Sequence, residues 1–205
     1  MRHVKIVFIM LVAVFAWANS ASAGLEETKS LPGYGDVQQM IRFAFNEGWK
    51  NNQTAILAVK QRLENAAPSR RPFVSVAARN QAREANTRGL QALNNQQLAE
   101  AINEFQKAAN NNPADVELLN NFGYAFLLAQ NYAAAEYWMI RALVLSPKRT
   151  NAWVNLGTVY AENGGAKEAV ACYSLGYWFS QSPVATRNFF GSSLFSVELR
   201  FRAKQ

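Results

Sequence analysis

Glycine recurs in this chain with a 34-residue period, at Gly89, Gly123, Gly157 and Gly191. Other columns keep the same interval. Ala101, Ala135 and Ala169 are small, as are Ala108, Ala142 and Gly176; Phe105, Met139 and Tyr173 are bulky; Pro113 and Pro147 punctuate. A fixed period of this length means that one supersecondary unit is laid down repeatedly. Within it, apolar residues spaced i, i+3, i+4 and i+7 mark one buried stripe per helix, and each unit holds two such stripes. Polar turns such as Asn94-Asn95 and Gly164-Gly165 join the paired helices, and the prolines stop each second helix by excluding the helical conformation before them. The small columns let the two helices approach closely. The bulky column is expected to fill the space between neighbouring units. One unit cannot bury its own face, so stacking is obligatory and the ends need caps.

The third unit carries the fullest pattern. Trp153, Leu156, Gly157 and Tyr160 give W-x2-L-G-x2-Y, followed by Ala169 and Tyr173. The second has Leu119 for the Trp and Phe126 for the Tyr; the first has Arg88 before Gly89, and Ala92 in the Tyr place. These columns resemble the tetratricopeptide repeat (TPR) family. The resemblance implies an all-α, helix–turn–helix solenoid with three full repeats at about 82–115, 116–149 and 150–183. Phe190, Gly191 and Leu194 repeat the phase of Leu156, Gly157 and Tyr160, which predicts a capping helix within residues 184–205. Beyond it, Val197, Leu199 and Phe201 alternate with charged residues, as a short strand or as a helix continuing to the end. Upstream, residues 36–67 read as a short helical pair that falls off the grid of the period. Together with the linker Pro68-Ser69-Arg70-Arg71-Pro72 they make a segment 24–73 ahead of an array at 74–205.

Residues 1–23 have another character. Arg2 and Lys5 precede an apolar run from Ile6 to Ala18, and Ala21-Ser22-Ala23 follows. A basic start, an apolar core and a small-x-small site describe a secretory signal peptide, with cleavage expected after Ala23 and Ala16-Trp17-Ala18 as the alternative site. A retained anchor is the other reading of this segment. The run falls short of the roughly 20 residues that span a bilayer. The chain is expected to be exported, in a periplasm or secreted. Removing residues 1–23 takes Arg2, Lys5 and the only histidine, His3, and leaves a charge of (21 − 2) − 14 = +5. Cys172 is alone, so no intrachain disulfide can form and stability must come from packing.

Chemistry is sparse in what remains. Without histidine, Ser–His and Cys–His nucleophile pairs are impossible, and zinc sites lack their usual ligands. No Gly-rich phosphate loop is present, and neither a cofactor nor a metal is expected. Glu100 and Glu104 stand four apart, where they favour the start of a helix through its dipole. Cys172 reads as a buried structural thiol. The chain is read as a non-enzyme.

Two surfaces are therefore candidates. The family resemblance implies a concave groove lined by the first helices. Carried over residue by residue, it assigns Arg83, Asn86, Thr87 and Leu90, then Asn120, Asn121, Tyr124 and Leu127, then Asn151, Asn155, Thr158 and Glu162, with Asn188 and Phe189 in the cap. Amides offer donors and an acceptor to an extended backbone, and Tyr124 and Leu127 add apolar contact. The family's clamp for C-terminal carboxylates uses lysines and arginines at groove places; here Arg83 is the one basic groove residue, which argues against such a clamp. The second candidate is a basic patch. Residues 60–88 hold Arg62, Arg70, Arg71, Arg79, Arg83, Arg88 and Lys60 against Glu64 and Glu84, a local balance of +5. Such a segment suits an anionic envelope surface, with a solvated helix face as the plainer reading. The expected partner is a protein or extended peptide segment of an envelope complex, not nucleic acid.

Overall fold

In the computed structural model the described residues are 35, 37–42 and 72–180. The leader, most of the upstream pair, the capping helix and the tail expected from the sequence lie outside them. The described residues hold helices and turns without strands, and no helix among them is long and apolar enough to cross a membrane.

Three helix pairs follow one another: α1 (Val76–Asn94) with α2 (Leu98–Asn111), α3 (Val116–Leu128) with α4 (Tyr132–Leu145), and α5 (Thr150–Glu162) with α6 (Ala166–Phe179). Helices α3 and α5 begin where the period places them. α1 begins earlier, at Val76 rather than at 82. Arg79 stands where the period would put a proline, so nothing enforces a later start. Ser75 caps the helix, its hydroxyl accepting from the Ala78 amide at 3.1 Å. The run VAARNQAREA then continues in good helix formers. Asp115 caps α3 in the same way, accepting from the amides of Glu117 and Leu118.

Inside each unit the turn is the same. Gln96, Gln130 and Gly164 are equivalent positions of the three units and have φ of 59°, 58° and 88°. The amides of Gln97, Asn131 and Gly165 close the turn onto the carbonyls of Ala92, Phe126 and Tyr160. This is the left-handed ending that satisfies orphan carbonyls of a helix C-terminus. Only the third unit supplies the glycine that adopts it without strain.

The bulky column is where the packing departs from expectation. A methyl group placed on Gly89 would stand 2.7 Å from the Phe105 ring. On Gly123 it would meet Met139 Cγ at 2.8 Å, and on Gly157 the Tyr173 ring at 2.7 Å. Phe105, Met139 and Tyr173 therefore lie over the glycine of their own unit and lock its two helices together; they do not primarily fill the space between units. The link to the next unit runs through contacts such as Phe105 with Phe122, ring centroids 6.2 Å apart. Phe122 in turn packs on Phe126 and Trp138.

Each second helix packs against the first helix of the following unit, and first helices of successive units also touch. The side on which neighbours meet directly is the inner side of the curve, so α1, α3 and α5 line it. Residues 37–42 join the same core. Val37, Met40 and Ile41 are buried in it, and Gln38 donates from Nε2 to Glu136 at 3.4 Å and to the Tyr160 hydroxyl at 3.2 Å.

The interlock can be tested by adding the missing methyl group. Gly157→Ala should lower stability by about 1–3 kcal/mol, the usual cost of overpacking, despite the higher helix propensity of alanine. Gly123→Ala should cost a comparable amount, because the added methyl meets Met139 Cγ at 2.8 Å and the backbone atoms Ala135 O and Met139 N at 3.2 and 3.3 Å. Thermal or urea unfolding of the two variants measures both losses.

Candidate functional site

On α3 the residues left accessible on the inner side are Glu117, Asn121, Tyr124 and Leu128, spaced four, three and four apart. That spacing is one stripe of a helix. The equivalent positions one period away are Arg83, Thr87, Leu90 and Asn94 on α1, and Asn151, Asn155, Thr158 and Glu162 on α5. The inner face is thus a grid of four rows crossing three helices. Of the groove residues expected from the sequence, Arg83, Thr87, Leu90, Asn121, Tyr124, Asn151, Asn155, Thr158 and Glu162 stand on it.

Two expectations need correction. Leu127 and Asn120 are only 8% and 6% exposed, and turn into the core beside their accessible neighbours Leu128 and Asn121. Asn86, half-buried as Asn121 and Asn155 are, borders the grid beside Thr87. One residue along a helix is a rotation of about 100°, enough to exchange groove for core. Conversely, Asn94, Glu117 and Leu128 belong to the grid although the family resemblance did not assign them. Stepping back one period from Glu162 gives Leu128 and then Asn94, and stepping forward from Arg83 gives Glu117, so the signal is in the sequence. Asn188 and Phe189 lie outside the described residues.

The amides are partly committed. Asn121 donates from Nδ2 to Asn86 Oδ1 at 3.2 Å, and Asn155 to Asn120 Oδ1 at 3.1 Å. Each bond runs from a grid residue to the preceding unit and ties two first helices together. An asparagine has a second N–H and an acceptor oxygen, so the tie fixes the orientation of the side chain without exhausting it. The Thr158 hydroxyl is held by the Val154 carbonyl and the Tyr173 hydroxyl. Beside the amides, Leu90, Tyr124 and Leu128 are 40%, 40% and 44% exposed, an apolar patch reaching from the first to the second unit.

The basic patch falls only partly within the described residues. Arg62, Arg70 and Arg71 lie outside the described residues. Arg79 and Arg83 are exposed on α1. Arg88 bonds through Nε to Glu104 Oε2 at 2.6 Å, and Lys107 holds the other carboxylate oxygen. Glu104 sits in the middle of α2, not in its first turn, so the helix-dipole reading holds for Glu100 alone. The hydrogen bond from Lys107, with Arg88 behind it, keeps the Glu104 carboxyl below its ordinary range although burial pushes the other way. Glu117 pairs with Arg149 at 3.2 Å, an exposed pair of little energetic weight.

Cys172 is fully buried, and burial, with Glu136 and Glu168 adding to it, pushes its thiol well up. It is poorly suited to redox chemistry. Among the described residues no group of three His, Cys, Asp or Glu could hold a metal ion.

No family model and no curated protein sequence matches this chain. Solved structures do. The TPR domain of Arabidopsis OM64 superposes with a TM-score of 0.53 at 21% identity, over 58% of this chain and 96% of that one. The first TPR of Spaghetti (RPAP3), bound to an HSP90 peptide, gives 0.55 at 19% identity, over 63% of this chain and 97% of its own. The MamA protein gives 0.51 at 16%, over 84% and 87%. Identities this low establish the fold: a TPR-like helical solenoid.

Two variants test the amide ties. Asn155→Ala strands the buried Asn120 oxygen and should cost about 1–3 kcal/mol. Asn121→Ala leaves the half-buried Asn86, which water can reach, and should cost less; denaturant unfolding compares them. A pH series tests Glu104. A carboxyl held low in the folded state contributes stability above its unfolded value of about 4.3 and loses it as pH falls through the folded value. The acid side of the stability curve should therefore be shallower in Glu104→Gln than in the parent.

Proposed function

We propose that the array is a non-catalytic protein–protein interaction module that holds an extended segment of a partner protein across its inner face. We further propose that it acts in the bacterial cell envelope, as an adaptor in assembling a secretion, pilus or other envelope complex. The observation that carries the first proposal is the grid: oriented amides at Asn121 and Asn155 beside the exposed Leu90, Tyr124 and Leu128. Packed helices lie about 8–10 Å apart, and an extended chain advances about 3.1–3.4 Å per residue. A segment crossing α1, α3 and α5 thus meets one column of the grid about every three residues. Amides hold its backbone whatever its sequence, and the apolar patch selects for a side chain. A domain of the same fold is bound to an HSP90 peptide, which supports a peptide-holding role. The envelope location rests on the leader-like residues 1–23.

A second reading follows from Arg79 and Arg83, exposed at the leading end of α1. With Arg88, which is paired to Glu104, they are the described cations of a basic segment that would dock on an anionic envelope surface, with the array as spacer. Salt separates the two, since attraction between exposed charges is screened within about 10 Å at 0.1 M.

Pull-down from envelope extract at low and high salt decides between them. The Leu90→Ala/Tyr124→Ala/Leu128→Ala variant should lose a partner that the parent keeps at high salt, with affinity down at least about tenfold, as for a truncated interface anchor. Arg79→Ala/Arg83→Ala should keep that partner. Capture that ignores the apolar triple change but disappears with salt and with the two arginines would replace the groove by the basic segment.

A further inference from the structure

Away from the inner face, one carboxylate is held by neutral groups. Glu136 on α4 accepts at Oε1 from the Tyr160 hydroxyl at 2.9 Å and from the Gln38 amide at 3.4 Å, and Gln38 also donates to the Tyr160 oxygen at 3.2 Å. The three side chains come from three places: residues 37–42, the second helix of unit two and the first helix of unit three. They close a triangle over the seam between those units. Glu136 and Tyr160 line a cavity of 730 Å³ together with Gly35, Gln38, Gln39, Arg42 and Glu168. On either side of Gln38, Val37, Met40 and Ile41 are buried in the common core.

We propose that this triangle is a pH-operated latch: residues 37–42 stay docked on the seam while Glu136 is protonated, and release as it ionises. Docking takes water from the carboxyl group and returns one long hydrogen bond from an uncharged amide. That exchange favours the neutral acid. Burial accordingly pushes Glu136 above the ordinary carboxylate range; the Tyr160 and Gln38 hydrogen bonds pull it partly back, and the Glu168 carboxylate on α6 pushes it up again. Arg42, on the docked segment, is the cation that lines the same cavity. Tyr160 stays protonated throughout, since burial and Glu136 push its hydroxyl far up. Cys172 behind it stays a thiol.

The sign follows from linkage. When residues 37–42 leave, water returns and Glu136 falls toward its ordinary value. An acid whose pKa is higher docked than released favours docking at low pH, and that preference fades as pH rises through the docked value. Release uncovers Val37, Met40, Ile41 and their seat on units two and three. The seam lies apart from the grid residues, so the proposal stands whether or not the inner face binds a peptide.

Hydrogen exchange of the whole chain, read by mass spectrometry between pH 4.5 and 8 and corrected for intrinsic rates, tests the latch. Protection of residues 37–42 should fall with rising pH, by at most about tenfold per pH unit for a single titrating group, while α3 stays protected. Glu136→Gln should remove the pH dependence. Tyr160→Phe should keep it and move its midpoint upward, because the lost hydrogen bond favoured the ionised form; this variant carries the test if Glu136→Gln fails to fold. Protection that is flat with pH in the parent, that follows the same curve in Glu136→Gln, or that is lost in parallel with α3, overturns the proposal.

Discussion

Everything in this array hangs on a missing methyl group. Gly89, Gly123 and Gly157 let Phe105, Met139 and Tyr173 lie directly on the backbone of the paired helix. The small Ala101, Ala135 and Ala169, all fully buried, hold the same contact one turn away. Because the interlock sits inside the unit, it fixes the angle between two helices before any neighbour is added. Stacking then repeats that angle, and a solenoid is a sum of unit and nearest-neighbour terms. The alignment of inner-face rows is a consequence. Leu90 and Tyr124 stand in one row because the glycines immediately before them are seated alike.

This division explains what was legible in the sequence. The interlock needs particular residue sizes at one phase, so it leaves columns that subtraction finds, and helices α3 and α5 begin where those columns put them. The rotation of each helix about its own axis leaves no such mark. Whether Asn120 or Asn121, or Leu127 or Leu128, meets solvent depends on how the second helix and the next unit divide the remaining circumference, which is a non-local matter. Both members of each pair suit either place chemically. Hence Asn120 and Leu127, expected on the inner face, lie in the core one position away from Asn121 and Leu128, which stay accessible there. The early start of α1 was hidden for another reason: its beginning depends on a Ser75 cap and on the absence of a breaker, not on the period.

Charge shows the same limit. A net +7 suggests a basic surface, yet individual cations are held in place by local partners. Arg88 and Lys107 both serve Glu104. Arg141 stacks on Trp138, 4.8 Å from the ring centroid, and donates to the Pro113 carbonyl, which ties the second helix of unit two to the loop before α3. Lys107 could be paired with Glu104 from their spacing of three on one helix. Arg88, on the preceding helix, could not.

The seam and the inner face meet on one helix. On α5, Thr158 looks to the inner face and bonds the Tyr173 hydroxyl, while Tyr160, about half a turn further and so on the opposite side of the helix, holds Glu136 and Gln38. Tyr173 is also the ring seated on Gly157, so the interlock of unit three lies between the two surfaces. In an array whose units couple only to neighbours, docking on the seam of units two and three stabilises that interface and no other. A partner segment laid across α3 and α5 bridges the same two units from the other side. Whatever relative placement of α3 and α5 the one prefers, the other feels with equal free energy, since coupling between two sites is reciprocal. A segment confined to α1 and α3 would be blind to it. The position of the apolar patch, on α1 and α3 rather than α5, therefore decides how much of the seam a bound partner can sense.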